Sequence, residues 1–296
     1  MLSKKQQRRL IRSTYGTSAQ FIKAIRKMYR NANRQIKGEI SVFLSNEVNW
    51  SAPAEKDDIR DAVEELEGFD SSVAPLVAFY TSSLVLGHPK QSDVLTARVA
   101  VPLIKVGQSL HQMMKHNGNK ILQDVSKVSK AQQVATPQLH QLPFNYNVMM
   151  QHSISQAVTQ RKGVSDDINR SIHQTITKVR DVCKVASQDS DAKKDYTKLV
   201  DRIINGKHGT GGSLARAETI MRTQTCRELN NSTIADFSAR GVSKYRFLSL
   251  EAVNSCEDCT SLDGNVYDVE DAQEGVNLPP MHPNCQCWIE EVLDTD

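Results

Sequence analysis

Apolar residues recur at every third or fourth position over long stretches of the chain, which is the spacing of one face of an α-helix. The pattern predicts a helix from Thr17 to Phe43 and another from Ser165 to Ala186, the latter with a Ser-Asp-Asp start typical of a helix N-terminus. The first stripe consists of Ile22, Ile25, Tyr29, Ala32 and Ile36, and the second of Ile168, Ile172, Ile176, Val179, Cys183 and Ala186. Aromatic residues make up only 5% of the 296 residues, so we expect a mainly α protein.

Shorter helices are predicted between these two stripes. They cover residues 59–66, 72–87 and 93–115, with Ser72 as the cap of the second. Pro102 is expected to kink the third helix or to start a new segment, since proline removes a backbone hydrogen bond. Residues 133–147 contain two prolines and little periodicity, and are predicted to form a loop.

The C-terminal part has a different pattern. A helix is predicted from Leu214 to Arg240, followed by strands over Tyr245–Leu250 and Cys287–Val292, with a tight turn at Asp263–Asn265. One face of the helix is apolar at both ends and polar in the middle: Ala217, Met221, Gln224, Glu228, Asn231 and Ala235. Because buried polar groups must be paired, we expect this face to anchor a hydrogen-bond network.

These patterns predict an extended helical N-terminal region followed by a small α+β module. We divide the chain into a basic helical arm (1–50), a helical domain (51–205), a glycine-rich linker (206–213) and the α+β module (214–296). The linker lacks the spacing of a phosphate-binding loop.

Charge is strongly segregated, although the formal net charge is only +3. The first thirty-seven residues contain eleven Lys or Arg and no Asp or Glu, whereas residues 251–296 contain twelve carboxylates and no Lys or Arg. The candidate contacts to nucleic acid or to an acidic partner are Lys4, Lys5, Arg8, Arg9, Arg12, Lys23, Arg26, Lys27, Arg30 and Arg34. A solvated helix face is the alternative explanation of this pattern.

Apolar runs are short throughout the chain. None approaches the roughly 20 residues of a membrane span, and the basic start is followed by no secretory apolar region. We therefore expect a protein made in a reducing cytoplasm, where six cysteines do not form a disulfide framework.

Four cysteines and a histidine converge near the C-terminus. Cys256 and Cys259 form a Cys-x-x-Cys pair, and His282 is followed by Cys285 and Cys287. Such pairs give the tetrahedral coordination that Zn(II) prefers, so the sequence predicts a structural zinc site. The predicted ligands are Cys256, Cys259, His282 and Cys285, with Cys287 as an alternative ligand. A buried cluster of reduced thiols, or disulfides formed in an oxidising medium, would explain the same residues.

The same region resembles the bacteriophage Mu F-like family of minor head proteins. The resemblance rests on Arg222-Thr223, the Cys256-x-x-Cys259 pair, the Leu262-Asp263-Gly264 turn and the terminal 279–287 segment, Pro-Pro-Met-His-Pro-Asn-Cys-Gln-Cys. It extends from Ala217 to Cys287. Three positions depart from the family pattern: Gln224 for Glu, Gln286 for Arg, and Phe247 or Leu248 where Trp is common.

The resemblance implies a structural virion protein rather than an enzyme. Such a protein joins the procapsid near the portal vertex, with the portal protein and capsid or scaffold proteins as partners. Contact with packaged double-stranded DNA is also implied. The alternatives are a zinc-dependent nucleic-acid-processing enzyme, a toxin effector fused to a Mu F-like domain, or a free-standing nucleic-acid-binding protein. The His-x-Glu, His-Glu-x-x-His and Gly-x-Ser-x-Gly motifs of common enzyme classes are absent from the sequence.

Overall fold

The computed structural model is mainly α-helical, as the apolar pattern predicts. It describes the backbone of residues 4–135, 146–207, 211–249 and 256–292, and the side chains of residues 11–127, 163–207, 211–249 and 256–292. The helices are α1 Lys4–Ser45, α2 Lys56–Leu66, α3 Ala74–Val85, α4 Gln91–Ala135, α5 Tyr146–Gln188, α6 Ser190–Asn205, α7 Gly212–Arg240 and α8 Glu257–Leu262. The strands are β1 Lys244–Leu248, β2 Val266–Asp268 and β3 Trp288–Val292. No helix in these described ranges is long and apolar enough to cross a membrane.

The chain forms two compact units, each built from segments that are distant in sequence. Unit 1 contains Met1–Ile22, Met113–Val164 and Thr219–Asp296, and unit 2 contains Lys23–Gln112 and Ser165–Glu218. The division of the sequence into an arm, a helical domain, a linker and an α+β module remains a prediction.

The core of unit 2 uses the predicted stripe on α5 and the predicted stripe on α1 apart from Ile22, which belongs to unit 1. Every member of the stripe on α5 is buried, and the stripe on α1 is buried as well. The core also takes Leu103 and Ile104 from α4 and Leu66 from α2. Periodicity therefore identified the core face of both long helices correctly, because burial of one face is what gives a helix its 3.6-residue apolar period.

Three predicted helix limits are wrong. Helix α1 begins at Lys4, so the basic arm and the predicted helix over 17–43 are one continuous helix. Helix α4 continues through Pro102 to Ala135, and α5 begins at Tyr146 rather than at Ser165. Residues 133–135 and 146–147 of the predicted loop are therefore helical, and its residues 136–145 lie outside the described residues.

Tertiary packing explains the continuity of α4 at its proline. Val99, Leu103 and Ile104 are buried on either side of Pro102. Fully burying three such side chains contributes about 1.5–3 kcal/mol each, which exceeds the roughly 3 kcal/mol that an internal proline costs. The cap of the apolar helical segment is also corrected: Asp70 rather than Ser72 accepts the capping hydrogen bond, from the Ser72 backbone N–H at 2.9 Å.

Unit 1 contains a three-stranded antiparallel sheet in the order β2-β1-β3. In the central strand, Tyr245 and Phe247 point to the core, and both are fully buried. Tyr245 packs with Phe237 of α7 and Ile289 of β3, whereas Phe247 packs among cysteines. The same face of the sheet therefore carries a conventional apolar cluster and, beside it, a cluster made largely of sulfur.

The polar middle of α7 is buried, as its sequence predicts. Gln224 donates to Glu228 at 3.1 Å, and Arg227 donates to Gln224 at 2.9 Å and to Glu274 at 2.7 Å. Thr225 accepts a hydrogen bond from Asn117 at 2.9 Å, within unit 1. The predicted hydrogen-bond network is present on this helix.

Candidate metal centre

The first pair of thiols is placed by the short helix α8. Cys256 is the N-cap residue, and its Sγ accepts a hydrogen bond from the backbone N–H of Cys259 at 3.3 Å. The Cys-x-x-Cys spacing thus puts one thiol before the helix and the other within its first turn. Cys256 is partly exposed and Cys259 is buried.

His282 lies against both of these thiols. Its Nε2 is 3.0 Å from the Sγ of Cys256 and 3.3 Å from the Sγ of Cys259. The other ring nitrogen, Nδ1, lies 2.9 Å from the carbonyl oxygen of Pro283, which can only accept. The Nδ1–H therefore donates to that carbonyl, and this leaves the Nε2 lone pair directed at the thiols, as in histidines that bind metals.

A second group of thiols adjoins the first. Cys259 Sγ is 3.9 Å from Cys285 Sγ, and the sulfurs of Cys259, Cys285 and Cys287 all lie within 4.8 Å of one another. Cys256, Cys259 and His282 form a group by the same criterion, so Cys259 belongs to both. All six cysteines of the chain are free thiols.

The donor spacing fits a tetrahedral zinc ion. With Zn–S bonds of about 2.3 Å and a Zn–N bond of about 2.0 Å, two sulfurs on one ion lie about 3.8 Å apart, and a sulfur and a nitrogen about 3.5 Å apart. The S–S distance of 3.9 Å matches this value, and the S–N distances of 3.0 and 3.3 Å are slightly shorter. Cys285 lies outside the group of Cys256, Cys259 and His282, so one ion held by all four predicted ligands requires movement of these side chains.

The electrostatics of the cluster keep most of its thiols protonated. Burial raises the pKa of Cys259 to about 12, and the pKa of Cys226 is raised for the same reason. A hydrogen bond with Cys285, together with burial, raises the pKa of Cys287. Hydrogen bonds from Cys226 and Cys287 hold the pKa of Cys285 below its ordinary value. Several thiolates therefore coexist here only when a metal ion balances their charge.

Sequence reasoning missed Cys226, which lies on α7 far from the other cysteines in sequence. Cys226 is fully buried in the sulfur cluster with Cys259, Cys285 and Cys287, against Phe247. Its Sγ donates to the carbonyl oxygen of Cys287 at 3.5 Å. No local spacing motif links residue 226 to residue 256, so only the tertiary fold reveals this contact.

The basic residues of α1 were predicted as a separate partner-binding site. The described ones are Arg12, Lys23, Arg26, Lys27, Arg30 and Arg34, and all of them are exposed. The side chains of Lys4, Lys5, Arg8 and Arg9 lie outside the described residues. Among the six, Arg26 forms an ion pair, with Glu218 at 2.6 Å, and no other such pair is seen for them within the described side chains.

Lys23, Lys27, Arg30 and Arg34 are spaced by four, three and four residues, so they form one straight stripe on α1. At about 1.5 Å per residue the stripe is about 16 Å long. All four belong to unit 2, whereas Arg12 belongs to unit 1.

Together these features define a helical protein with a cysteine- and histidine-rich α+β end, in which α8 and the segment before β3 bring together side chains that could hold a metal ion. Residues 150–290 match the sequence model of the family described as Phage Mu protein F like protein, so this part of the chain is similar to that family. The match begins well before Ala217, where the motifs first show the resemblance. No curated protein and no solved structure matches the chain.

Proposed function

We propose that this chain is a minor head protein of a bacteriophage, which acts as a structural component in head morphogenesis. The family match over residues 150–290 is the observation that carries this proposal. The proposed location is the virion, in the capsid interior or at the portal vertex, after assembly in the host cytoplasm. The proposed partners are the portal protein and capsid or scaffold proteins.

The metal centre is proposed to be a structural zinc site held by Cys256, Cys259, His282 and Cys285, with Cys287 as an alternative ligand in place of either His282 or Cys285. The burial of Cys259 and Cys285 supports a structural role, because a catalytic zinc needs an open position for water or substrate. The three strands of the sheet are at most five residues long, so a metal crosslink contributes substantially to folding here. A closed thiolate site also argues against the enzyme alternative.

The basic stripe on α1 is proposed to contact the packaged DNA. Clustered cations with no protein partner release counterions when they meet phosphates, which is the main source of sequence-independent DNA affinity. The metal module at the other end of the chain has no Lys or Arg after Arg246, so it offers no comparable surface. In this proposal residues 1–50 carry the DNA contact and residues 214–296 form the zinc module.

Co-expression of the chain with the portal protein of the same phage tests the main proposal. Size-exclusion chromatography of the purified material should show co-elution, and elemental analysis should find zinc. A Cys256→Ser/Cys259→Ser variant should lose that zinc, whereas Cys183→Ser should retain it. Cys183 is the matched control, because it is a buried cysteine of α5 in unit 2, outside the sulfur cluster.

Two results would count against the proposal. A chain that never associates with portal or capsid proteins would contradict the assembly role. Metal-dependent cleavage or modification of nucleic acid by the purified chain, abolished in the Cys256→Ser/Cys259→Ser variant, would replace it with the enzyme alternative.

A further inference from the structure

The sulfur cluster contains more donors than one zinc ion can use. Five thiols and one imidazole meet there, whereas a tetrahedral ion takes four ligands. A single ion held by Cys256, Cys259, His282 and Cys285 leaves the thiols of Cys226 and Cys287 buried beside it. Buried cysteine often serves as a small apolar residue, so these two thiols alone do not establish a second site.

The arrangement of the donors is more specific than their number. They fall into two groups, Cys256–Cys259–His282 and Cys259–Cys285–Cys287, and Cys259 is shared between them. Cys226 packs against the second group in the same buried cluster, with its Sγ 3.5 Å from the carbonyl oxygen of Cys287, and it lies outside both groups by the 4.8 Å criterion. Cys259 and Cys285 lie at the junction, with their sulfurs 3.9 Å apart. Two sulfurs at this spacing are able to share a pair of metal ions.

We propose that the cluster binds two zinc ions bridged by the thiolates of Cys259 and Cys285. The first ion would be completed by Cys256 and His282, and the second by Cys226 and Cys287. Two four-coordinate ions need eight coordination positions, and six donors of which two bridge supply all eight. Cys226 thereby becomes a metal ligand on α7, which ties this helix to α8 and to the segment before β3.

The second ion does not add buried charge. One Zn(II) with three thiolates and a neutral imidazole has a formal charge of −1, and the two remaining thiols are neutral. A second Zn(II) displaces the protons of Cys226 and Cys287, so the formal charge stays at −1. The desolvation cost that opposes an uncompensated buried charge is therefore not increased.

This inference rests on the proposed zinc site. The number of zinc ions per chain distinguishes a failure of the two-ion proposal from a failure of the single-site proposal. Native mass spectrometry and elemental analysis of the full chain, purified with a phosphine reductant and no chelator, should give two zinc ions per chain. The Cys183→Ala control should also give two. A Cys226→Ala variant should fall to one, and far-UV circular dichroism checks that it is folded.

Each result has a definite meaning. One zinc ion per wild-type chain overturns the two-ion proposal and leaves the single-site proposal standing. This conclusion needs only the wild-type chain, so it does not depend on whether the Cys226→Ala variant folds. A folded Cys226→Ala variant that keeps two ions overturns the ligand role of Cys226. No zinc in the wild-type chain removes both the single site and the pair. Cobalt substitution tests the bridges: two bridged Co(II) ions are antiferromagnetically coupled, and uncoupled ions would contradict bridging by Cys259 and Cys285.

Discussion

The phenol of Tyr15 on α1 donates a hydrogen bond to the backbone carbonyl of Cys287 at 3.3 Å, across 272 residues of sequence. The same carbonyl accepts from Asn230 at 3.1 Å and from the Cys226 thiol at 3.5 Å. Burial raises the pKa of Tyr15 well above its ordinary value, so the phenol remains protonated and able to donate. The start of α1 is thus attached to the backbone of the sulfur cluster within unit 1.

Replacing Tyr15 with Phe should destabilise the protein by about 1 kcal/mol, the usual contribution of one hydrogen bond whose acceptor keeps other donors. Tyr15→Ala should cost more, about 3–5 kcal/mol, because Tyr15 also packs against the cluster of Ile121, Val125 and Leu229. Urea unfolding of the zinc-loaded chain measures both. Tyr196→Phe on α6 is the control, since its hydroxyl has no hydrogen bond within the described residues. Equal effects of the Tyr15→Phe and Tyr196→Phe changes would show that the contact to Cys287 adds nothing.

A buried ion triad gives a second prediction. Arg240 at the end of α7 lies 2.8 Å from Asp236 and 2.6 Å from Glu291 of β3, and the three side chains are at most 5% exposed. Arg240→Met leaves two buried carboxylates without their cation, so it should destabilise the protein by about 3–5 kcal/mol.

The exposed residue Arg60 of α2 provides the comparison for this triad. It faces three carboxylates, Asp57 at 2.9 Å, Asp61 at 3.2 Å and Glu64 at 4.0 Å, but all four side chains are more than half exposed. Arg60→Met should therefore cost less than about 1 kcal/mol. Thermal unfolding of the two variants side by side tests the contrast, and similar melting temperatures would refute the role assigned to burial.

The helices and strands that could be predicted from the sequence are those whose buried face repeats with a regular local period. The stripes on α1 and α5, the polar face of α7 and the strands near 245–248 and 288–292 were all recognisable, because burial of one face leaves a repeat in the sequence. The Cys/His donors were recognisable for a similar reason, since ligands carried by one turn or loop have short, fixed spacings.

Features that depend on distant packing were not predictable in this way. Ser165 looked like a helix cap, but it lies within α5 and its hydroxyl hydrogen-bonds with His111 of α4 at 3.3 Å. Cys226 and Tyr15 reach the sulfur cluster only because α7 and α1 pack there. No pattern within a window of a few residues contains that information.

Cys183 gives a prediction of pH dependence outside the metal centre. Burial in the α5 stripe raises the pKa of this thiol from about 9 to about 12. A raised pKa in the folded state means that the protonated thiol stabilises the fold below pH 9 and that this contribution is lost as the pH rises from 9 towards 12. The loss for this one group is about 1.4 kcal/mol per pH unit.

The stability difference between wild type and Cys183→Ala should therefore shrink as the pH is raised from about 8 to 10.5, because alanine has no proton to lose. Chemical unfolding of both chains at several pH values measures this difference in unfolding free energy. The contributions of the other titrating groups are the same in both chains, so they cancel in the difference. A difference that stays constant or grows would show that Cys183 is not the buried, protonated thiol described here.

The basic stripe on α1 gives the prediction most closely tied to function. Replacing Lys23, Lys27, Arg30 and Arg34 with Gln removes four cations without changing the buried face of the helix. If each neutralises one phosphate, the slope of log affinity against log salt for duplex DNA should become shallower by about 3.6, which is about 0.9 per contact. Fluorescence anisotropy with a mixed-sequence duplex, between about 50 and 200 mM salt, measures this slope.

A matched control comes from α6, where Lys194 and Lys198 are exposed but pair with Asp191 and Asp195. Gln substitutions at these two lysines should leave the slope unchanged, because the paired cations release no counterions on meeting DNA. An equal loss in both variants would indicate a diffuse effect of net charge, and no loss in either would contradict a DNA contact by this face of α1.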